Sequence, residues 1–89
     1  MKAVITVIGK DTVGIIAKVA TLCAEYSANI EDITQSVLRD YFAMIMIANI
    51  DELNVDFSAF VDALDKLGRD NKLEIRAMHE DIFDAMHTI

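Results

Sequence analysis

Residues Gly9 to Ile16 read GKDTVGII and hold two of the chain's three glycines. Glycines between an apolar segment and a helix start are where phosphate-cradling loops occur, so nucleotide chemistry is the first reading to test. A Walker loop needs G-x-x-x-x-G-K-[ST], whereas Gly14 is followed by Ile15 and Ile16. The dinucleotide pattern G-x-G-x-x-G fails on glycine separation. What remains is a helix N-terminus, whose unpaired N–H groups and positive dipole end favour a carboxylate or other small anion by roughly 0.3–1 kcal/mol. Gly14 has no Cβ, so a ligand or a neighbouring backbone can come close. The same glycines can equally serve only to turn the chain and seat the helix on a sheet.

No other cluster offers a reaction. His79 and His87, with Glu80, Asp81 and Asp84 between them, match no zinc spacing and read as a solvated acidic helix face with two surface histidines. Cys23 is the one cysteine; it can form neither an internal disulfide nor a C-x-x-C site, and it fits a small core residue in a reducing compartment. Glu31 and Asp32 are adjacent on a strand and point to opposite faces, so they cannot work as a pair on one substrate. Met44 and Met46 fit a core or interface gap better than a binding surface. With no nucleophile placed beside a base, the chain is not read as an enzyme, and it calls for no cofactor or metal.

The 89 residues are 54% hydrophobic and make one domain, 1–89, with a C-terminal extension over 79–89. A chain of this size buries only about 60–65% of its unfolded surface, so it gains from self-association. Fifteen acidic against eight basic residues give a formal charge of −7, which repels nucleic acid. Aromatic stacking on bases is also poorly served, because the first strand has no aromatic and Tyr41 and Phe42 only open the third. The opening MKAVITVIGKD is too short in apolar residues for a signal peptide, and no run approaches the ~20 needed for a membrane span. The expectation is a soluble, cytoplasmic protein.

Periodicity supplies the elements that hold the motif. Lys2–Ile8 is β-branched and apolar at nearly every position, as a strand covered on both faces would be. From Val13 to Tyr26, Ile15, Ile16, Val19, Leu22, Cys23 and Tyr26 fall at helical spacing, with Asp11 or Thr12 as cap. Ile30–Leu38 alternates weakly and suits an edge strand, Arg39-Asp40 a tight turn, and Tyr41–Ile50 a second central strand. Asp51–Asp56 is a polar connection. Phe57, Phe60, Val61, Leu64 and Leu67 mark a helix stopping near Gly68. Lys72–Met78 alternates as an edge strand, and Ile82, Phe83 and Met86 make the last segment a short amphipathic helix.

Strand, helix, strand, strand, helix, strand is the ferredoxin-like βαββαβ sandwich: an α+β fold with a four-stranded antiparallel sheet, two helices on one face, and here a C-terminal helix. The central strands are apolar on both faces, so one apolar face is left over. Depending on register it holds Val4 and Ile8 with Met44 and Met46, or Ile5 and Val7 with Ile45 and Ile47. Either the C-terminal helix or a second copy must cover it, and a homodimer is expected.

The segment VIGKDTVGIIAKVATLCAEYSANIEDITQSV resembles the start of an ACT domain, in its hydrophobic first strand, G-x-D-x-x-G-I turn, following helix and Asn-Ile pair opening the second strand. The likeness continues through DYFAMIMIANI and the second helix, and is similar to stand-alone bacterial ACT proteins and to the ACT segments of formyltetrahydrofolate deformylases and glycine-cleavage regulators. It implies a regulatory module sensing an amino acid or related metabolite between two domains, passing its state to an unknown partner enzyme. By that resemblance Asp11, Thr12, Val13 and Gly14 in the loop, and Asn29 with Ile30 at the second strand, bind the ligand: loop amides take its carboxylate, while Asp11 and the Asn29 side chain take its ammonium group. The chain departs from many ACT domains in having Val13 where they have proline. A dimerisation module without ligand is the alternative.

Overall fold

The two segments that are apolar at successive positions pair at the centre of a sheet. In a computed structural model, which describes residues 1–10 and 14–86, β1 (Lys2–Lys10) runs antiparallel beside β3 (Tyr41–Asn49). β2 (Asn29–Leu38) and β4 (Leu73–His79) flank them, giving the order β2-β3-β1-β4 with every pairing antiparallel. α1 (Ile15–Glu25) joins β1 to β2, α2 (Phe57–Asn71) joins β3 to β4, and α3 (Glu80–Met86) follows β4 without a linker. This is the ferredoxin-like arrangement with a C-terminal helix that the periodicity implies.

Register decides what is core. Ile5 stands opposite Met46 and Val7 opposite Met44, so the odd residues of β1 share a face with the even residues of β3. Against that face α1 buries Ile15, Val19 and Cys23, and α2 buries Phe60 and Leu64. Phe60 is fully buried, with Tyr26 edge-on to its ring at 6.0 Å. Burial of such a side chain contributes roughly 1.5–3 kcal/mol.

The leftover face differs from both expected sets. It carries Val4 and Ile8 with Ile45 and Ile47, because Val4 lies directly opposite Ile47, and both methionines belong to the helix-covered core. Each expected set joined one strand's core side to the other's open side. Along this face burial is uneven: Val4 is 3% exposed, Ile45 45% and Ile8 54%. Val4 stands outside the main core cluster, and α3 touches β1 and β4.

Helix ends also depart from the expected bounds. α2 runs past Gly68 to Asn71 and stops at Lys72, which adopts the left-handed conformation at φ 58°. Gly68 is instead a packing position, since a Cβ there would lie 2.6 Å from the Leu73 carbonyl oxygen. α1 begins at Gly14 with no side-chain cap; Asp11 and Thr12, the expected caps, lie outside the described residues. At its other end the Ala28 N–H donates to the Cys23 carbonyl at 2.8 Å around left-handed Ser27, and the Asn54 side chain donates to the Glu25 carbonyl at 2.9 Å. The polar connection thus closes α1 from across the fold.

Candidate functional site

Gly14 sits at φ 85°, a conformation that costs other residues roughly 1–2 kcal/mol. Among the described residues nothing lies within 4 Å of where its Cβ would stand, so backbone conformation, not crowding by them, requires glycine there. Its carbonyl accepts the first helical bond, from the Lys18 N–H at 3.0 Å. Beside it opens a cleft of 520 Å³, within the range of small-molecule sites. Gly14 to Ala17 form one wall, Gln35, Ser36 and Val37 of β2 the other, and the buried Phe42 ring lies between. Gln35 stands opposite Met44 and so is on the helix side of the sheet, toward the cleft. Among the described residues no charged side chain lines this space, and α1 has no acidic residue in its first turn to occupy its own dipole end.

The cleft exists because β2 is poorly covered. Its residues from Glu31 to Leu38 are all exposed, Ile33 and Val37 on the helix side included. Of the expected ligand-binding residues, Gly14 lines the cleft. Asn29 and Ile30 open β2 at its far end, about 30 Å of extended strand from Leu38. There Asn29 is exposed opposite Asn49, while Ile30 is half-buried against the core. One chain therefore does not bring Gly14 and Asn29 into one cleft. Asp11, Thr12 and Val13 lie outside the described residues. Ile16, Gln35, Ser36 and Val37 were not singled out from the sequence as site residues. For Val37 the signal was present in weak form, as an apolar residue alternating with Thr34 and Ser36 along an edge strand.

The family model described as ACT domain matches residues 2–78. A UPF0237 protein of Methanopyrus kandleri is 43% identical over 88 residues, covering 99% of this chain and 98% of that protein. The chain belongs to the ACT-domain family. The structure of an ACT domain protein from Streptococcus pneumoniae superposes with a TM-score of 0.81 at 40% identity, over 98% of both chains. A formyltetrahydrofolate deformylase from Pseudomonas syringae shares the fold, with a TM-score of 0.79 at 22% identity over 88% of this chain and 27% of that one. The family is one of regulatory ligand-binding modules, and the resemblance read from the first strand, turn and helix holds along nearly the whole chain.

The remaining chemistry-bearing residues of this ACT domain serve packing. Cys23 is fully buried, and burial pushes its thiol up to about 11, which leaves it unreactive. His79 is no surface residue of a helix: it ends β4, half-buried, its ring stacked on Phe57 at 4.2 Å and its Nδ1 enclosed without a hydrogen-bond partner. His87 lies outside the described residues. A bulge between Ile30 and Asp32 breaks the strict alternation expected at Glu31 and Asp32, and Glu31 reaches Lys2 at 2.8 Å. Among the described residues, no group of three potential metal ligands forms, and no helix is long and apolar enough to cross a membrane.

Proposed function

We propose that this ACT domain is a cytoplasmic, non-enzymatic regulatory module that binds an amino acid or similar small metabolite between two copies of itself. The supporting observation is the placement of Gly14 and Asn29 at opposite ends of the exposed edge strand β2. Antiparallel pairing of β2 with the β2 of a second copy carries the Asn29 end of one chain to the Gly14 end of the other. It thereby assembles, twice per dimer, the loop and strand residues that one chain keeps apart. The segment Ile33–Leu38 has no charge and no proline to discourage such pairing.

In this reading the bare N-terminus of α1 and the amides beside Gly14 receive the ligand carboxylate. Asp11 of the same loop and Asn29 from the neighbouring chain take the ammonium group. Thr12, Val13 and Ile30 complete the enclosure. Occupancy ties the two chains together, and a partner enzyme reads that change of state as a population shift.

Calorimetric titration of the protein with each of the twenty amino acids tests this. One amino acid should saturate at one site per chain, and Asn29→Ala should abolish its heat while leaving the fold intact. Silence across the panel, or binding indifferent to Asn29→Ala, rejects the shared site.

A further inference from the structure

The cleft beside Gly14 has two walls, and each presents an uncovered aliphatic side chain to it. Ile16 of α1 is 37% exposed on one wall, and Val37 of β2 is 57% exposed on the other. The floor is Phe42, 5% exposed, which offers a ligand little ring surface to stack on. Ser36 stands opposite Ala43, on the other face of the sheet, so its hydroxyl points away from this space. We propose that the Ile16–Val37 gap is the side-chain pocket of the ligand site, and that it selects an aliphatic amino acid such as valine, leucine or isoleucine. The proposal rests on the reading of this cleft as an amino-acid site and names the class of ligand it takes.

Charge and polarity decide against the other side chains. Among the described residues no charged group lines the cleft, and Lys18, the first cation of α1, is engaged by the Asn71 side chain at 2.8 Å. Asp11 is already assigned to the ammonium group in the reading above. A charged ligand side chain would therefore leave water without a counter-ion to receive it. Gln35 is the polar side chain on the cleft side of β2, and it is exposed, so its amide keeps its water when an aliphatic group binds beside it. What the ligand removes from water is the facing surface of Ile16 and Val37, and each methylene it adds to the gap should tighten binding about fourfold.

Calorimetric titration of the full chain and of three variants tests the pocket, with circular dichroism as the check on folding. Valine should bind about tenfold more tightly than alanine, and aspartate and lysine should give no heat. Val37→Thr keeps the shape of the wall and should weaken valine binding at least threefold. Ile16→Ala, which lies off the β2 edge, should act in the same direction. Gln35→Leu should leave valine binding unchanged or tighter, whereas a pocket built for a polar side chain would lose its ligand. A parent protein that binds a charged, amide or aromatic amino acid most tightly overturns the selectivity and leaves the shared site standing. Aliphatic binding indifferent to both Val37→Thr and Ile16→Ala overturns the placement. Aliphatic binding weakened by Val37→Thr but indifferent to Asn29→Ala supports the pocket and rejects the two-chain site. Silence across all twenty amino acids overturns both.

Discussion

Replacing Gly68 with alanine sets two terms of opposite sign against each other. In a helix interior alanine is favoured over glycine by about 1 kcal/mol. Against that gain, the new Cβ would stand 2.6 Å from the Leu73 carbonyl oxygen and 3.2 Å from Ile75 Cγ1. The first of these neighbours is backbone held in the β4 ladder, so it cannot swing aside as a side-chain tip would. Overpacking of this kind costs about 1–3 kcal/mol and at times more. With a backbone oxygen at 2.6 Å the cost falls in the upper part of that range, about 2–3 kcal/mol, so the expected balance is a net loss of about 1–2 kcal/mol, or a Tm lower by roughly 5–15 °C for a domain of this size. A urea titration read by circular dichroism measures it, with the slope unchanged if only the folded packing is affected. Gly68→Asn should cost more than Gly68→Ala here, whereas a helix-stopping glycine would accept asparagine more readily. A Gly68→Ala protein as stable as the parent would refute the argument, by showing that α2 does not press on β4 through this position.

Lys72→Gly and Ser27→Gly should each stabilise the domain by about 0.5–1 kcal/mol in the same urea assay, because both parents hold left-handed backbone at helix ends where glycine carries no Cβ penalty. Asn54→Ala should cost about 1 kcal/mol by removing the donor to the Glu25 carbonyl, with Asn54→Asp no rescue since a carboxylate offers that carbonyl no hydrogen. Cys23 should resist iodoacetamide at pH 8 until urea unfolds the chain. Its folded value of about 11 lies above that of an unfolded thiol, so the native state holds the proton more tightly and stability falls as pH rises between roughly 8.5 and 11. The slope from this group is at most about 1.4 kcal/mol per pH unit, and Cys23→Ala should remove it.

The fold was legible because its pattern is redundant. The segments KAVITVI and YFAMIMIANI name the central strands, and the spacing of Val19, Cys23, Phe60 and Leu64 names the buried helix stripes. Register was not legible, since both central strands are apolar at odd and even positions alike. Only the observed pairing of Val4 with Ile47 tells which half of each strand faces the helices. The role of Gly68 was misread for a related reason: a glycine late in a helical pattern looks like a stop whether it ends the helix or lets a strand approach. His79 was assigned to the following helix because the acidic run after it masks the last residue of β4. At the site, the glycine turn announced Gly14, but the wall made by Gln35 and Val37 depends on how far α1 reaches across the sheet, which no local pattern encodes.

The shortfall of cover over β2 ties these features together. The helices bury the core on one side of the sheet, and β2 from Glu31 to Leu38 is exposed on both faces. Its helix side, at Gln35 and Val37, forms the cleft beside Gly14; its other side, at Leu38, lies beside Tyr41 and the exposed Ile8 and Ile45 of the open face. A ligand that draws Gln35 and Val37 toward α1 acts on the same strand whose edge is proposed to pair with a second copy. Any such coupling is reciprocal, so the factor by which ligand strengthens assembly is the factor by which assembly strengthens ligand binding. A regulatory domain of this size has no room for a separate transmission element. Leaving β2 uncovered lets a single strand be both a wall of the cleft and an unpaired edge of the sheet.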